Sequence, residues 1–140
     1  MFQYKYPRPA VTVDAIILKQ KSHELLLIQR KNDPFAGKWA FPGGFMEMDE
    51  LLEKACQREL MEETGLFVEQ LTFFCTCDAI DRDPRGRTLS CVYYSLVLDS
   101  SQVCGADDAL CARWFSLDHL PELAFDHHLV IRKLIRKLSL

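Results

Sequence analysis

The stretch from Asp49 to Gly65 specifies a helix whose apolar face carries the wrong chemistry. Asp49 can serve as an N-cap, and Gly65 stands where a C′ glycine stops a helix after about Thr64. At about 100° per residue, Leu52, Ala55 and Cys56 fall within about 60° of Glu59, Leu60 flanks them, and Glu62 and Glu63 share the sector. The stripe that should meet a core therefore ends in three carboxylates. The helix dipole favours cations at that end. Glu59 also repels Glu62 and Glu63 at a cost of a few tenths of a kcal/mol each, even in solvent. Burial raises the cost to several kcal/mol unless the charges are paired or metal-bound, and one arginine, Arg58, cannot neutralise three of them. A hard divalent cation can, and Mg²⁺ commonly shares its shell between carboxylates and substrate phosphates. On helix physics alone, a solvated acidic end stays open as the alternative.

Around this helix the chain reads as strands. Ala10 to Leu18 and Glu24 to Gln29 form an apolar hairpin across a polar turn, and Trp39-Ala40-Phe41 is a short strand ended by the turn Pro42-Gly43-Gly44. Strand-like runs follow at Phe67 to Cys77, Thr88 to Leu98 and about Ala112 to Phe115. Asp126 to Leu138 has helical periodicity, with Arg132, Lys133, Arg136 and Lys137 on its polar side. Strands on both sides of a central helix, with a closing helix, imply an α/β fold: a mixed sheet with helices on both faces.

At 140 residues, 49% of them apolar, the chain has material for one core and is read as a single domain over residues 1–140. A net charge of −3 and no basic run argue against a nucleic-acid partner. No stretch reaches the roughly 18–20 apolar residues of a membrane span, and the opening nine residues lack a signal-peptide centre, so the expectation is a cytoplasmic protein with no membrane partner. Cys56, Cys75, Cys77, Cys91, Cys104 and Cys111 show no zinc-site spacing and are read as reduced structural thiols, with Cys75 and Cys77 on one strand face.

Gly44, five residues, Glu50, seven residues, then Arg58-Glu59-Leu60-Met61-Glu62-Glu63-Thr64-Gly65-Leu66 resembles the Nudix box at all nine defined positions over 23 residues. The resemblance implies the Nudix fold, an α/β/α sandwich around a mixed sheet, and pyrophosphate hydrolysis dependent on Mg²⁺, with Mn²⁺ as a substitute. It implies Glu59, Glu62, Glu63 and the Gly44 carbonyl as metal ligands. Arg58 would orient the acidic cluster, and Glu50 would brace the helix start. Gly43 and Gly44 would let a phosphate approach the backbone. The general base is left between Glu59 and the loop acids Asp81, Asp83, Asp107 and Asp108.

The flanks Arg8 to Asp14, Gln29 to Phe35, Arg82 to Arg87 and Ala124 to His127 resemble the ADP-ribose pyrophosphatase branch, although Pro84 lies farther past the box than is usual there. That implies a small-molecule nucleotide substrate, ADP-ribose cut to AMP and ribose 5-phosphate. Arg82, Arg85 and Arg87 are candidate phosphate contacts, against the alternative of a solvated basic turn. Phe45, Phe41, Tyr4 or Tyr6 could stack on a base, and His127 and His128 head the last helix as simple end residues or as functional ones. The opening Met1 to Pro9 arm could cross to a partner in a homodimer, a state many relatives adopt. Two other readings stand: a nucleoside triphosphate pyrophosphohydrolase acting on oxidised nucleotides, and a catalytically silent sensor of NAD metabolites.

Overall fold

The computed structural model describes residues 3–103 and 111–140. Cys104, Asp107 and Asp108 lie outside the described residues, as do the first two residues of the opening arm. The elements are β1 (Ala10–Lys19), β2 (Glu24–Gln29), β3 (Trp39–Ala40), β4 (Gly43–Phe45), α1 (Leu52–Thr64), β5 (Thr72–Cys77), β6 (Thr88–Val97), β7 (Ala112–Ser116) and α2 (His127–Leu138).

β1 organises the fold. One edge pairs parallel with β6 along its whole length, from Ala10 opposite Thr88 to Lys19 opposite Val97. The other edge is shared: Thr12, Val13 and Asp14 face Phe45, Gly44 and Gly43 of β4, and Leu18 faces Leu25 of β2. β2 then carries β3 and β7, and β5 closes the far side against β6, giving a mixed sheet.

The alternation of β1 side chains sorts the core into two layers. Val13, Ala15 and Ile17 pack with Ala55, Cys56 and Leu60 of α1. Ile16 and Leu18 pack with Val130, Ile131 and Leu134 of α2. A strand covered on both faces has to be apolar almost throughout, which is why its sequence is so rich in branched aliphatics. Each fully buried Leu or Ile contributes about 1.5–3 kcal/mol. The result is the expected α/β/α sandwich.

Four local expectations are corrected. Asp49 does not cap α1: Leu51 occupies the N-cap position in an extended conformation with no side-chain cap, because residues 47–50 form their own turn, with the Glu47 N–H donating to Glu50 Oε1 at 2.9 Å. The glycines after Pro42 are a strand, not a turn. The strand starts at Thr72, not Phe67. Gln57 Nε2 donates to the carbonyls of Val68 (3.0 Å) and Glu69 (2.8 Å), so the intervening chain is tied down onto the helix and has no strand partner. Glu62 is exposed, so the buried stripe runs through Cys56, Leu60 and Thr64 with Glu59 and Glu63 along its edge. Gly65 does end the helix, at φ 74°, its N–H reaching the Met61 carbonyl.

Candidate active site

The edge of α1 that carries Glu59 and Glu63 lies against the glycines of β4. The Gly43 N–H donates to Glu63 Oε1 at 2.7 Å. A Cβ on Gly44 would stand 2.6 Å from the Glu59 carboxyl carbon and 2.7 Å from both of its oxygens, so only glycine leaves room for that carboxylate. A Cβ on Gly43 would run into the Val13 carbonyl and the Asp14 carboxylate. Backbone and carboxylates are in closer contact here than any side-chain-bearing strand allows.

Arg58 braces the same edge with all five of its N–H donors. Its Nε and Nη2 reach the two oxygens of Glu50 at 3.0 and 2.6 Å, Nη2 also reaches the Phe45 carbonyl at 3.1 Å, and Nη1 reaches Glu59 at 2.8 Å and Glu62 at 3.3 Å. Paired with Arg58, Glu50 titrates below the usual carboxylate range. Glu59 does not: burial pushes it up despite Arg58. Glu63, which no arginine touches, is pushed up to about 8 by burial, opposed by the Gly43 N–H and reinforced by the charges of Glu59 and Asp14. The protein thus gathers more carboxyl groups along β4 than its own cations pair, and burial disfavours their charged forms.

That imbalance is the observation against which a metal can be tested. Oxygen donors, short of positive charge, beside a backbone open to close approach, fit a hard divalent ion. Among the described residues no three carboxylate, imidazole or thiol groups are already gathered into a cluster that could hold one. Instead Arg58 and the Gly43 N–H hold the oxygens that a cation would share.

Beside the carboxylates opens a cleft of about 210 Å³, lined in part by Thr12, Asp14, Arg30, Gly43, Gly44, Phe45, Glu63, Arg82, Arg85, Phe125 and His127. Three guanidinium groups surround the Phe125 ring, those of Arg30, Arg82 and Arg85 at 5.0, 5.8 and 6.0 Å from its centre. Arg82 is buried and forms a two-pronged pair with Asp126, at 3.1 and 2.9 Å. Arg85 does the same with Asp83, at 3.1 and 2.8 Å, and holds that carboxyl below its ordinary range. Arg30 has no carboxylate within ion-pair distance among the described residues. Its Nε donates to the Pro34 carbonyl at 2.7 Å, and burial, followed by the nearby Arg85 charge, lowers its proton affinity.

Of the residues singled out from sequence, the structure brings Gly43, Gly44, Phe45, Glu63, Arg82 and Arg85 to the cleft, with Glu59 and Arg58 directly behind the glycines. Arg87 is not brought there; its guanidinium donates to the carbonyls of Asp78 and Ala79 and ties up its own loop. Phe41 is core, its ring stacked on His127 at 4.2 Å. Tyr4, Tyr6 and Asp81 are exposed, as is His128. His127 is buried: its Nδ1 accepts the Phe41 N–H, so it does more than close a helix end. Asp14, Arg30 and Phe125 lie within the flanks that resemble the ADP-ribose pyrophosphatase branch but are not singled out by sequence as site residues; for Asp14 a further signal is a charge inside a mostly aliphatic strand.

Fold and site together define an α/β domain that sets an acidic helix edge and an arginine-lined cleft on either side of a glycine strand. Residues 8–138 match the model of the NUDIX domain, and the chain belongs to the Nudix family. It is 45% identical over 131 residues to an ADP-ribose pyrophosphatase of Methanocaldococcus jannaschii, covering 94% of this chain and 76% of that protein. It is 33% identical to the ADPR responsive transcriptional repressor NtrR of Acinetobacter baylyi, covering 96% of this chain but only 56% of the repressor. The NUDIX domain of Shewanella oneidensis NrtR, solved in complex with ADP ribose, superposes with a TM-score of 0.87 at 30% identity, over 95% of this chain and 90% of that one.

Proposed function

We propose that this single domain hydrolyses the pyrophosphate bond of ADP-ribose to AMP and ribose 5-phosphate with the help of a divalent cation. The observation that carries the reading is the meeting, across one glycine strand, of carboxyl groups that outnumber their cationic partners and an arginine, Arg30, with no carboxylate partner among the described residues. Similarity to an ADP-ribose pyrophosphatase and to an ADP-ribose-binding domain supports the choice of substrate.

Glu59, Glu62, Glu63 and the Gly44 carbonyl would hold the cation, Mg²⁺ or in its place Mn²⁺. When bound, it supplies an acidified water and neutralises phosphate charge. Arg58 fixes the Glu59 and Glu62 carboxylates through Nη1. Gly43 and Gly44 admit a phosphate to the backbone, and the terminal nitrogens of Arg30 orient it. Glu59, raised by burial, is the best-placed proton acceptor; Asp83 is already held by Arg85. Arg82 and Arg85 shape the wall around Phe125 with their charges largely matched by Asp126 and Asp83.

Likeness to a transcriptional repressor favours one other reading, binding without turnover. A substrate panel separates these possibilities. ADP-ribose should be cleaved with kcat/KM at least ~10-fold above any nucleoside triphosphate. Tight binding with no cleavage in Mg²⁺ or Mn²⁺ would establish the sensor, and a preferred triphosphate releasing pyrophosphate would establish the other hydrolase branch.

A further inference from the structure

Asp14 is a carboxylate in the middle of the most deeply buried strand of the protein, only 8% exposed. No arginine or lysine pairs with it among the described residues. Its Oδ2 accepts a short hydrogen bond from the hydroxyl of Ser90, itself fully buried on β6. His127 Nε2 lies 3.8 Å from the same oxygen. Because His127 Nδ1 accepts the Phe41 N–H, the proton of the neutral ring is on Nε2, and the imidazole turns its donor side towards Asp14.

All of this support falls on Oδ2. Oδ1 receives no donor from the described residues and lies over Gly43, 2.5 Å from where a Cβ would be. Gly43 in turn donates its N–H to Glu63. One glycine therefore separates the open oxygen of Asp14 from the carboxylate edge of α1, and both Asp14 and Glu63 line the cleft. Oδ1 is not sealed from solvent, and Asp14 lines the cleft, so a donor on a ligand held there can reach it. Arg82 is committed to Asp126, and a phosphate would be repelled. The adenine amino group lies a whole nucleoside away from the pyrophosphate, too far for a residue adjoining Glu63. Sugar hydroxyls lie one ring away from it.

We infer that Asp14 Oδ1 accepts a hydrogen bond from a ribose hydroxyl of the substrate, with Ser90 and His127 as positioning residues that hold the carboxylate for it. The inference rests on the functional reading above and adds a specificity determinant to it.

The experiment compares kcat/KM for ADP-ribose with that for two probes, one carrying 2′,3′-dideoxyadenosine and one carrying a 2-deoxy terminal ribose. Wild type should disfavour at least one probe by about tenfold or more, since a site built for a hydroxyl leaves its acceptor unpaired when the hydroxyl is missing. Asp14→Asn should bring that ratio close to one with Mn²⁺ affinity, read by electron paramagnetic resonance, unchanged. Ser90→Ala should lower the ratio partway and Ser90→Thr restore it; if Asp14→Asn does not fold, as judged by its melting curve, the serine pair decides. Equal wild-type rates on all three compounds, a ratio that survives both Asp14→Asn and Ser90→Ala, or a loss confined to Mn²⁺ affinity would overturn the inference alone. Failure of wild type to cleave ADP-ribose would overturn the functional reading beneath it.

Discussion

Removing the charge of Glu63 should make the metal-free protein more stable, and only at the right pH. The carboxyl rises from an ordinary 4.5 to about 8 in the fold, chiefly through burial. The unfolded chain therefore gives up this proton long before the folded one. Stability is full below about pH 4.5, falls as pH rises through the window, and levels off above about pH 8. At about 1.4 kcal/mol per tenfold difference in proton affinity the ceiling is about 5 kcal/mol, and relaxation of water at the cleft mouth brings it to roughly 2–3 kcal/mol. Glu63→Gln keeps the oxygen that accepts the Gly43 N–H and removes the titration. Melting curves in excess chelator should give nearly equal Tm for the two proteins at pH 5. At pH 8 the variant should lead by roughly 5–10 °C, given a few degrees per kcal/mol for a chain of this size. Saturating Mg²⁺ should close the gap by stabilising wild type more than the variant. Parallel pH profiles in chelator, or a variant less stable at pH 8, would refute the claim that the charge is frustrated.

Gly44→Ala should leave the far-ultraviolet circular dichroism intact while lowering kcat at least ~10²-fold, since the methyl displaces the Glu59 carboxylate; Gly43→Ala meets backbone and should instead lower Tm sharply. Arg82→Ala strands Asp126 in a half-buried site and should cost about 3–5 kcal/mol in urea denaturation; a cost below 1 kcal/mol would show that the pair is not structural. Arg30→Gln should raise KM for ADP-ribose at least ~10-fold with little change in Tm, and an unchanged KM would remove it from the phosphate site.

The parts of this site that sequence disclosed are those whose geometry is local. The presence of Glu59 and Glu63 on one helix and of the glycine pair before it can be read from spacing alone, although the wheel puts Glu62 on the buried stripe and the glycines read as a turn rather than a strand. That local view still misplaced Asp49, because it could not see Glu50 turning back to the Glu47 N–H and across to Arg58. The cleft depends on longer connections. Asp14, Ser90 and His127 meet only because β1 runs parallel to β6 and α2 packs under both, which no spacing reveals. Within the arginine loop, sequence offered three equivalent cations, whereas partners at Asp126, Asp83 and the loop carbonyls give each a different task. Arg30, which lines the cleft with no carboxylate partner among the described residues, is not marked out as a site residue by sequence.

The most direct test of the account is the stoichiometry of a single reaction: ADP-ribose, purified protein and Mg²⁺, with products separated by ion-exchange chromatography before and after chelation. AMP and ribose 5-phosphate should appear in equal amounts, stop forming when the metal is sequestered, and resume when Mg²⁺ or Mn²⁺ is restored. Intact ADP-ribose throughout, or turnover that persists in excess chelator, would contradict the central claim that water cleaves the pyrophosphate with the help of a divalent cation that the acidic edge of α1 would hold.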